Sequence, residues 1–281
     1  MRNMPGPIAL KLGKDKMYSP FTMAWKYLRY LLTADNGRGH GIHSPFVYQL
    51  IREVFMDQKR LAAYELPEEY RRSVLHNTTL LDIEDLGAGS VGGSRRKRTV
   101  ASIARNSVKH QRYASLLFRL GCFLKARRIL ELGTSLGVTS MYLAAVSTAE
   151  EVVTMEGSSA IADQAEAAFR ARGLNKIKVV RGNFDDRLPE LLQTMTQIDL
   201  VYVDGNHRKN PTLDYFNQTI PLVPNEGCIV FDDIHWSREM EEAWAEICAD
   251  HRVTLSIDLF AIGLVFVRKE QLEKQHFTIR Y

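Results

Sequence analysis

Cysteine is scarce in this 281-residue chain, and the three that occur, Cys122, Cys228 and Cys248, are widely spaced with no C-x-x-C pair. That excludes a disulfide-dense scaffold and leaves reduced, buried thiols as the expectation. Long apolar runs are missing too. Nothing approaches the roughly 20 residues that span a bilayer, and no apolar segment or small-residue cleavage site follows the basic start MRNMPGPIALKLGKDK. A membrane span and a signal peptide are therefore not expected, and a cytoplasmic location is. Internal repeats are also absent. A further absence is local: no Asp or Glu lies between Asp85 and Glu131, while eleven Lys or Arg do, four of them in the run Arg95, Arg96, Lys97 and Arg98.

What is present fits an ordinary globular protein, 45% hydrophobic and 25% charged, long enough for one large domain or a domain with an extension. The charge is lopsided. Residues 1–128 carry 23 Lys and Arg against 10 Asp and Glu, whereas residues 129–281 carry 14 against 23. A basic front suits nucleic acid, an anionic small substrate, or simple packing against the acidic half. Single-stranded nucleic acid would call for interleaved aromatics. They are sparse here, and Tyr113 and Phe118 fall on an expected helix as core residues, so nucleic acid is disfavoured.

From residue 128 onward, short apolar runs alternate with amphipathic stretches. Strands are predicted at 128–132, 151–156, 176–181, 198–204, 227–233, 253–258 and 261–267, with helices at 137–148, 159–172, 185–194, 210–220 and 237–250. Such alternation specifies an α/β fold with a mostly parallel sheet covered on both faces. Only Leu259 and Phe260 separate the last two runs, too few for a crossover, so those runs pair as an antiparallel hairpin. Residues 1–75 read as helical: Trp25, Leu28, Leu31 and Leu32 have helical spacing, and SPFVYQLIREVF opens with Ser44 as N-cap and Pro45 in the first turn. The Gly-, Ser- and Arg-rich stretch 82–110 reads as a mobile loop. The expected division is a helical extension with this basic loop over 1–110 and the α/β domain over 111–281.

Two glycine turns compete for a cofactor. Gly87, Gly89 and Gly92 have the spacing G-x-G-x-x-G, but the cluster GSRRKRTV follows them and no acid lies downstream to grip a ribose. The second turn, ELGTSLG at 131–137, leaves a strand and enters an apolar-faced helix, and the next strand ends at Glu156. Gly133 and Gly137 let the backbone approach a ligand, and Ser135 stands where a pyrophosphate-binding turn has glycine. The second turn is the cofactor candidate, and the first is read as hinges of a lid that orders over bound ligand.

Acids and histidines gather at the ends of the next strands. YVDGNH and FDDIHW place Asp204, His207, Asp232, Asp233 and His235 at carboxyl ends of parallel strands, where the crevice of such a sheet lies. Carboxylates facing one another repel unless a proton or cation intervenes, and hard oxygen ligands suit Mg²⁺, Ca²⁺ or Mn²⁺.

The turn ELGTSLG followed by VTS resembles the first motif of class I S-adenosylmethionine-dependent methyltransferases, near the catechol and caffeoyl-coenzyme A O-methyltransferases. By motif order the resemblance covers residues 105–268. It implies a Rossmann-like seven-stranded sheet with an antiparallel last strand, and S-adenosylmethionine as cofactor. It assigns the methionine and ribose end to Glu131, Gly133, Thr134, Ser135, Gly137, Val138 and Thr139. The ribose hydroxyls fall to Glu156 with Gly157, the adenine edge to Gly182, Asn183 and Phe184, and a further cofactor contact to Asp204. It also implies a divalent cation, Mg²⁺ or another, on Asp204, Asp232 and Asp233, although Asp233 stands where those relatives have Asn, which also suits acids that only accept hydrogen bonds. Those relatives place a lysine three residues after the first metal aspartate; His207 stands there and is the candidate base, with Asp204 beside it and His235 behind. The expected activity is methyl transfer to an oxygen of a small molecule, an anionic one being compatible with the basic front, and a homodimer is compatible with it too. The alternatives are an RNA or protein methyltransferase docking a polymer on the basic front, and a non-catalytic S-adenosylmethionine or nucleotide sensor. A dehydrogenase is disfavoured by Ser135 and by the converging acids.

Overall fold

The computed structural model describes residues 17–35, 37, 39, 42–84 and 95–281. Ser19 caps α1 (Pro20–Thr33) by accepting from the Thr22 N–H at 3.2 Å. Phe21, Trp25, Leu28 and Leu32 lie on its exposed side, and Tyr30 is its buried residue. Ser44 caps α2 (Pro45–Leu50), as the sequence predicts, and a π-helical turn at Ile51–Phe55 continues it. After α3 (Glu65–His76) the chain departs from expectation. Within the stretch expected to be a mobile loop, β1 (Leu80–Glu84) and β2 (Arg95–Thr99) form an antiparallel pair, and α4 (Val100–Ser107) follows. Thr99 caps α4 by accepting from Ser102 N–H, which starts a helix where a composition-based reading gives loop. Gly87, Gly89 and Gly92 lie outside the described residues.

The long α5 (Gln111–Phe123) leads into the sheet: β3 (Arg128–Leu132), α6 (Val138–Ala144), β4 (Glu151–Glu156), α7 (Ser159–Ala171), β5 (Ile177–Arg181), α8 (Phe184–Leu192) and β6 (Leu200–Val203). Then come α9 (Lys209–Thr219), β7 (Cys228–Asp232), α10 (Arg238–Ala249), β8 (Leu255–Asp258), β9 (Ile262–Phe266) and β10 (Gln275–Thr278). All seven predicted strands form, in the order β8-β9-β7-β6-β3-β4-β5. β9 runs antiparallel to both β7 and β8, as the short hairpin connection requires. The seven-stranded expectation needs one correction: β10 adds an eighth strand, parallel to β8, at the edge.

Strand residues alternate between two cores because successive side chains point to opposite faces. Ile129 joins Val47, Leu50, Ile51, Leu117 and Leu120 on one face, while Leu130 joins Val201, Phe216, Ile229 and Trp244 on the other. The helices α2 to α4 therefore pack into the same core as the sheet. The chain's end is tied to its beginning: Asp35 bridges Ile279, and Tyr30 Oη donates to the Ile279 carbonyl at 2.5 Å. Among the described residues no helix is long and apolar enough to cross a membrane.

Candidate active site

The order of the sheet reverses between β3 and β6, and a crevice opens outside the carboxyl ends of the strands at such a point. A cavity of about 840 Å³ lies there. Its walls include Gly133 and Ser135 after β3, Glu156 and Gly157 after β4, and Asn183 and Phe184 after β5. Asp204 and His207 follow β6, and Asp232 and Asp233 close β7. The residues that sequence reasoning placed on different strands thus meet in one place.

Three of these strand ends carry non-glycine residues in the left-handed region: Ser135 (φ 48°), Asn206 (φ 54°) and Asp233 (φ 53°). Such backbone is disfavoured for L-residues and concentrates where side chains must be aimed at a ligand. Gly133 has φ 113°, and a Cβ there would sit 2.1 Å from the Asp204 carbonyl oxygen, so only glycine lets the β3 turn pack on the β6 end.

Glu156 accepts hydrogen bonds from the Ser135 and Ser158 N–H groups, both at 2.9 Å. The Gly157 backbone also donates to this carboxylate, so three main-chain N–H groups hold it in place. Burial raises its pKa against those bonds. The Ser135 hydroxyl is buried without a protein partner. The Asn183 side chain caps α8 by accepting from Asp185 N–H, and the Phe184 ring meets Tyr215 edge-on with centroids 6.0 Å apart.

Other expected cofactor residues do not line the cavity. Glu131 is fully buried beneath the turn, accepting from the Ser140 and Thr154 hydroxyls, and burial pushes its pKa up to about 8. Thr134 bonds Thr154 at 2.6 Å, and Val138 and Thr139 are buried in the first turn of α6. Gly137 packs on α7, where a Cβ would meet the Phe169 ring at 2.5 Å. Gly182 donates its N–H to the Glu156 carbonyl at 3.0 Å. These residues shape the turn from behind.

The acidic group is held from below and from the side. Tyr202, fully buried, donates to Asp204 Oδ2 at 2.9 Å. His207 Nε2 lies 3.7 Å from Asp204 Oδ1 and 4.0 Å from Asp233 Oδ2. Burial and the neighbouring Asp204 charge push Asp232 up to about 7, and burial with the Asp232 charge pushes Asp233 up to about 6. His235 stands apart from the cavity, bonded to Glu241 at 2.9 Å and Asp258 at 2.8 Å.

Lys109, on the link between α4 and α5, reaches into this group and forms a hydrogen-bonded ion pair with Asp232 Oδ1. Burial works against its charge, but Asp232, Asp204 and Asp233 outweigh it and hold the ammonium protonated beyond the ordinary lysine range. The expected metal set, Asp204, Asp232 and Asp233, does not fit a divalent cation as arranged. A fixed ammonium already lies on Asp232, and among the described residues no group of three or more His, Cys, Asp or Glu is disposed to hold a metal ion. Arg98 of the basic run lies on the cavity wall; sequence reasoning missed Asn106, His110 and Trp236 there, and Tyr113, expected in the core, lines it as well.

Residues 130–234 match the methyltransferase domain family. Over 127 residues the chain is 32% identical to the O-methyltransferase hkm8 of Aspergillus hancockii, a match covering 43% of this chain and 49% of that protein. The chain thus spans about half the length of that curated relative. Among solved structures, the Bacillus cereus O-methyltransferase in complex with S-adenosylhomocysteine superposes with a TM-score of 0.51 at 20% identity, over 79% of this chain and 97% of that one. The S-adenosylhomocysteine-bound Podospora anserina methyltransferase PaMTH1 gives a TM-score of 0.55 at 14% identity, over 92% and 100%. Residues 130–234 are thus similar to the methyltransferase domain family, and the chain shares the fold of these solved methyltransferases.

Proposed function

We propose that the protein is an S-adenosylmethionine-dependent O-methyltransferase acting on a small molecule. The observation that carries this reading is the Glu156 carboxylate closing β4 at the cavity wall, held in a fixed orientation by the Ser135, Ser158 and Gly157 backbone N–H groups. Such a group suits the two hydroxyls of a ribose. The unpartnered Ser135 hydroxyl and a cavity of about 840 Å³ also fit the cofactor. Asn183 and Phe184 are assigned to the adenine, and Gly133, Ser135 and Gly157 to the rest of the nucleoside and the methionine.

Bound there, S-adenosylmethionine would supply an electrophilic methyl group on a positively charged sulfur, the S–C bonding pair remaining with sulfur on transfer to a substrate oxygen. His207 Nε2 accepts the hydroxyl proton, and the imidazolium so formed lies between the carboxylates of Asp204 and Asp233. Arg98 on the cavity wall is the basic group compatible with an anionic substrate, since Lys109 is paired with Asp232. No step is assigned to a divalent cation, because the Lys109 ammonium engages Asp232.

Calorimetry with S-adenosylhomocysteine tests the reading. Binding is expected, weakened on the order of a hundredfold in Glu156→Ala through loss of charge-assisted hydrogen bonds. A wild-type protein that binds none of it removes the methyltransferase assignment.

A further inference from the structure

Lys109 belongs to none of the motifs read from the sequence, yet its position is tightly held. Val108 N–H donates to the Ala104 carbonyl at 3.2 Å where α4 ends, Arg71 of α3 donates to the Lys109 carbonyl at 2.5 Å, and His110 caps α5 by accepting from Arg112 N–H. From this anchored backbone the side chain reaches Asp232, 123 positions further along the chain, with its nitrogen 5.5 Å from the Tyr113 ring centroid. The lysine side chain is 13% exposed and that of Asp232 only 3%.

A buried ion pair is weak evidence of added stability, because desolvation offsets the attraction. This pair borders the cavity beside His207, Asp204 and Asp233. Three converging carboxylates call for a proton or a cation between them, and here the chain places an ammonium on one of them.

We propose that Lys109 takes the divalent-cation position of the carboxylate cluster, so that a tethered ammonium compensates the three acids and receives the substrate oxygen. This rests on the methyl-transfer reading and goes beyond it by naming the cation. An ammonium carries three N–H donors, and Asp232 takes one. Another meets the substrate oxygen as its proton passes to His207 Nε2 and negative charge develops on it; a lone pair of that oxygen would form the bond to the methyl carbon while the sulfonium S–C bond breaks, its electron pair staying on sulfur. Donors aimed at developing charge in a water-poor site act as an oxyanion hole does. Receiving the substrate oxygen needs only one of the two remaining donors, so a lone hydroxyl suffices as substrate and a vicinal diol is not required.

The test is a titration of Mn²⁺ into the full chain, followed by the electron paramagnetic resonance signal of the free ion. Wild type is expected to leave that signal unchanged. Lys109→Met is expected to take up one Mn²⁺ per chain, with affinity raised about a hundredfold or more, and Asp232→Asn added to it should abolish the uptake. A thermal melt accompanies the variants, since Lys109→Met strands the Asp232 charge; the wild-type titration stands without them. One Mn²⁺ bound per wild-type chain and lost in Asp232→Asn would overturn the proposal, as would a folded Lys109→Met that takes up none. Loss of S-adenosylhomocysteine binding would instead remove the methyl-transfer reading, so the two failures are distinguishable.

Discussion

Removing the imidazole of His207 should separate proton transfer from cofactor binding. His207→Ala is expected to bind S-adenosylhomocysteine nearly as wild type does, while methyl transfer falls about 10²- to 10⁴-fold, the usual contribution of a general base. Calorimetry and transfer of a labelled methyl group check the two halves, and unchanged turnover would take His207 out of the mechanism. Gly133→Ala should act on folding instead. Its Cβ would collide with the Asp204 carbonyl on backbone that L-residues rarely adopt, so a loss of about 2 kcal/mol or more is expected in urea unfolding. Gly133, Ser135 and Glu156 could be read from the sequence because their signal is local: a turn between strand and helix, then an acid ending the next strand. Glu131 carries the same local signal, which does not tell the cavity side of a turn from its buried side, and it lies buried beneath the turn. Lys109 was unreadable for the opposite reason. It sits on a short polar link without periodicity, and its meaning comes from an aspartate 123 positions away.

At the level of elements, His235 works as a clip. It joins Glu241 of α10 to Asp258 at the end of β8, its ring stacks on Phe260, and Tyr18 and Lys26 from the α1 region bond the same Glu241. Burial would lower its pKa, but the bonds to Asp258 and Glu241 raise it to about 9 from an ordinary 6.5. Burial would raise Glu241, but His235, Lys26 and Tyr18 bring it down to about 2. A raised histidine stabilises fully below its unfolded pKa and loses that contribution as pH climbs through 9; a depressed carboxylate stabilises above its unfolded pKa and loses it as pH falls toward 2. The clip is therefore strongest between the ordinary carboxylate and histidine values. Stability should fall by up to about 3 kcal/mol as pH rises from 6.5 past 9, and urea midpoints of His235→Gln should show a flatter profile over that range. The sheet itself was legible because its strands are short apolar runs bounded by turns. β2, with the sequence RRKRT, and β10, with QHFT, carry no such pattern, and pairing alone makes them strands.

For the whole molecule, the basic front and the acidic back meet in specific pairs, Lys26 with Glu241 and Lys109 with Asp232. Val47, Leu50, Ile51 and Val54 are fully buried in the core shared with β3 and α5. A chain beginning at residue 111 would uncover that face, and is expected to elute as aggregate in size-exclusion chromatography, whereas the full chain elutes as a defined species. The left-handed residues at the strand ends, Ser135, Asn206 and Asp233, carry a consequence for heat resistance. Each keeps roughly 1 kcal/mol of conformational tension. A descendant of this protein pressed toward hotter surroundings would gain by placing glycine at those sites, and would slacken the groups that face its ligand. Durability and catalytic power pull in opposite directions at the same three residues.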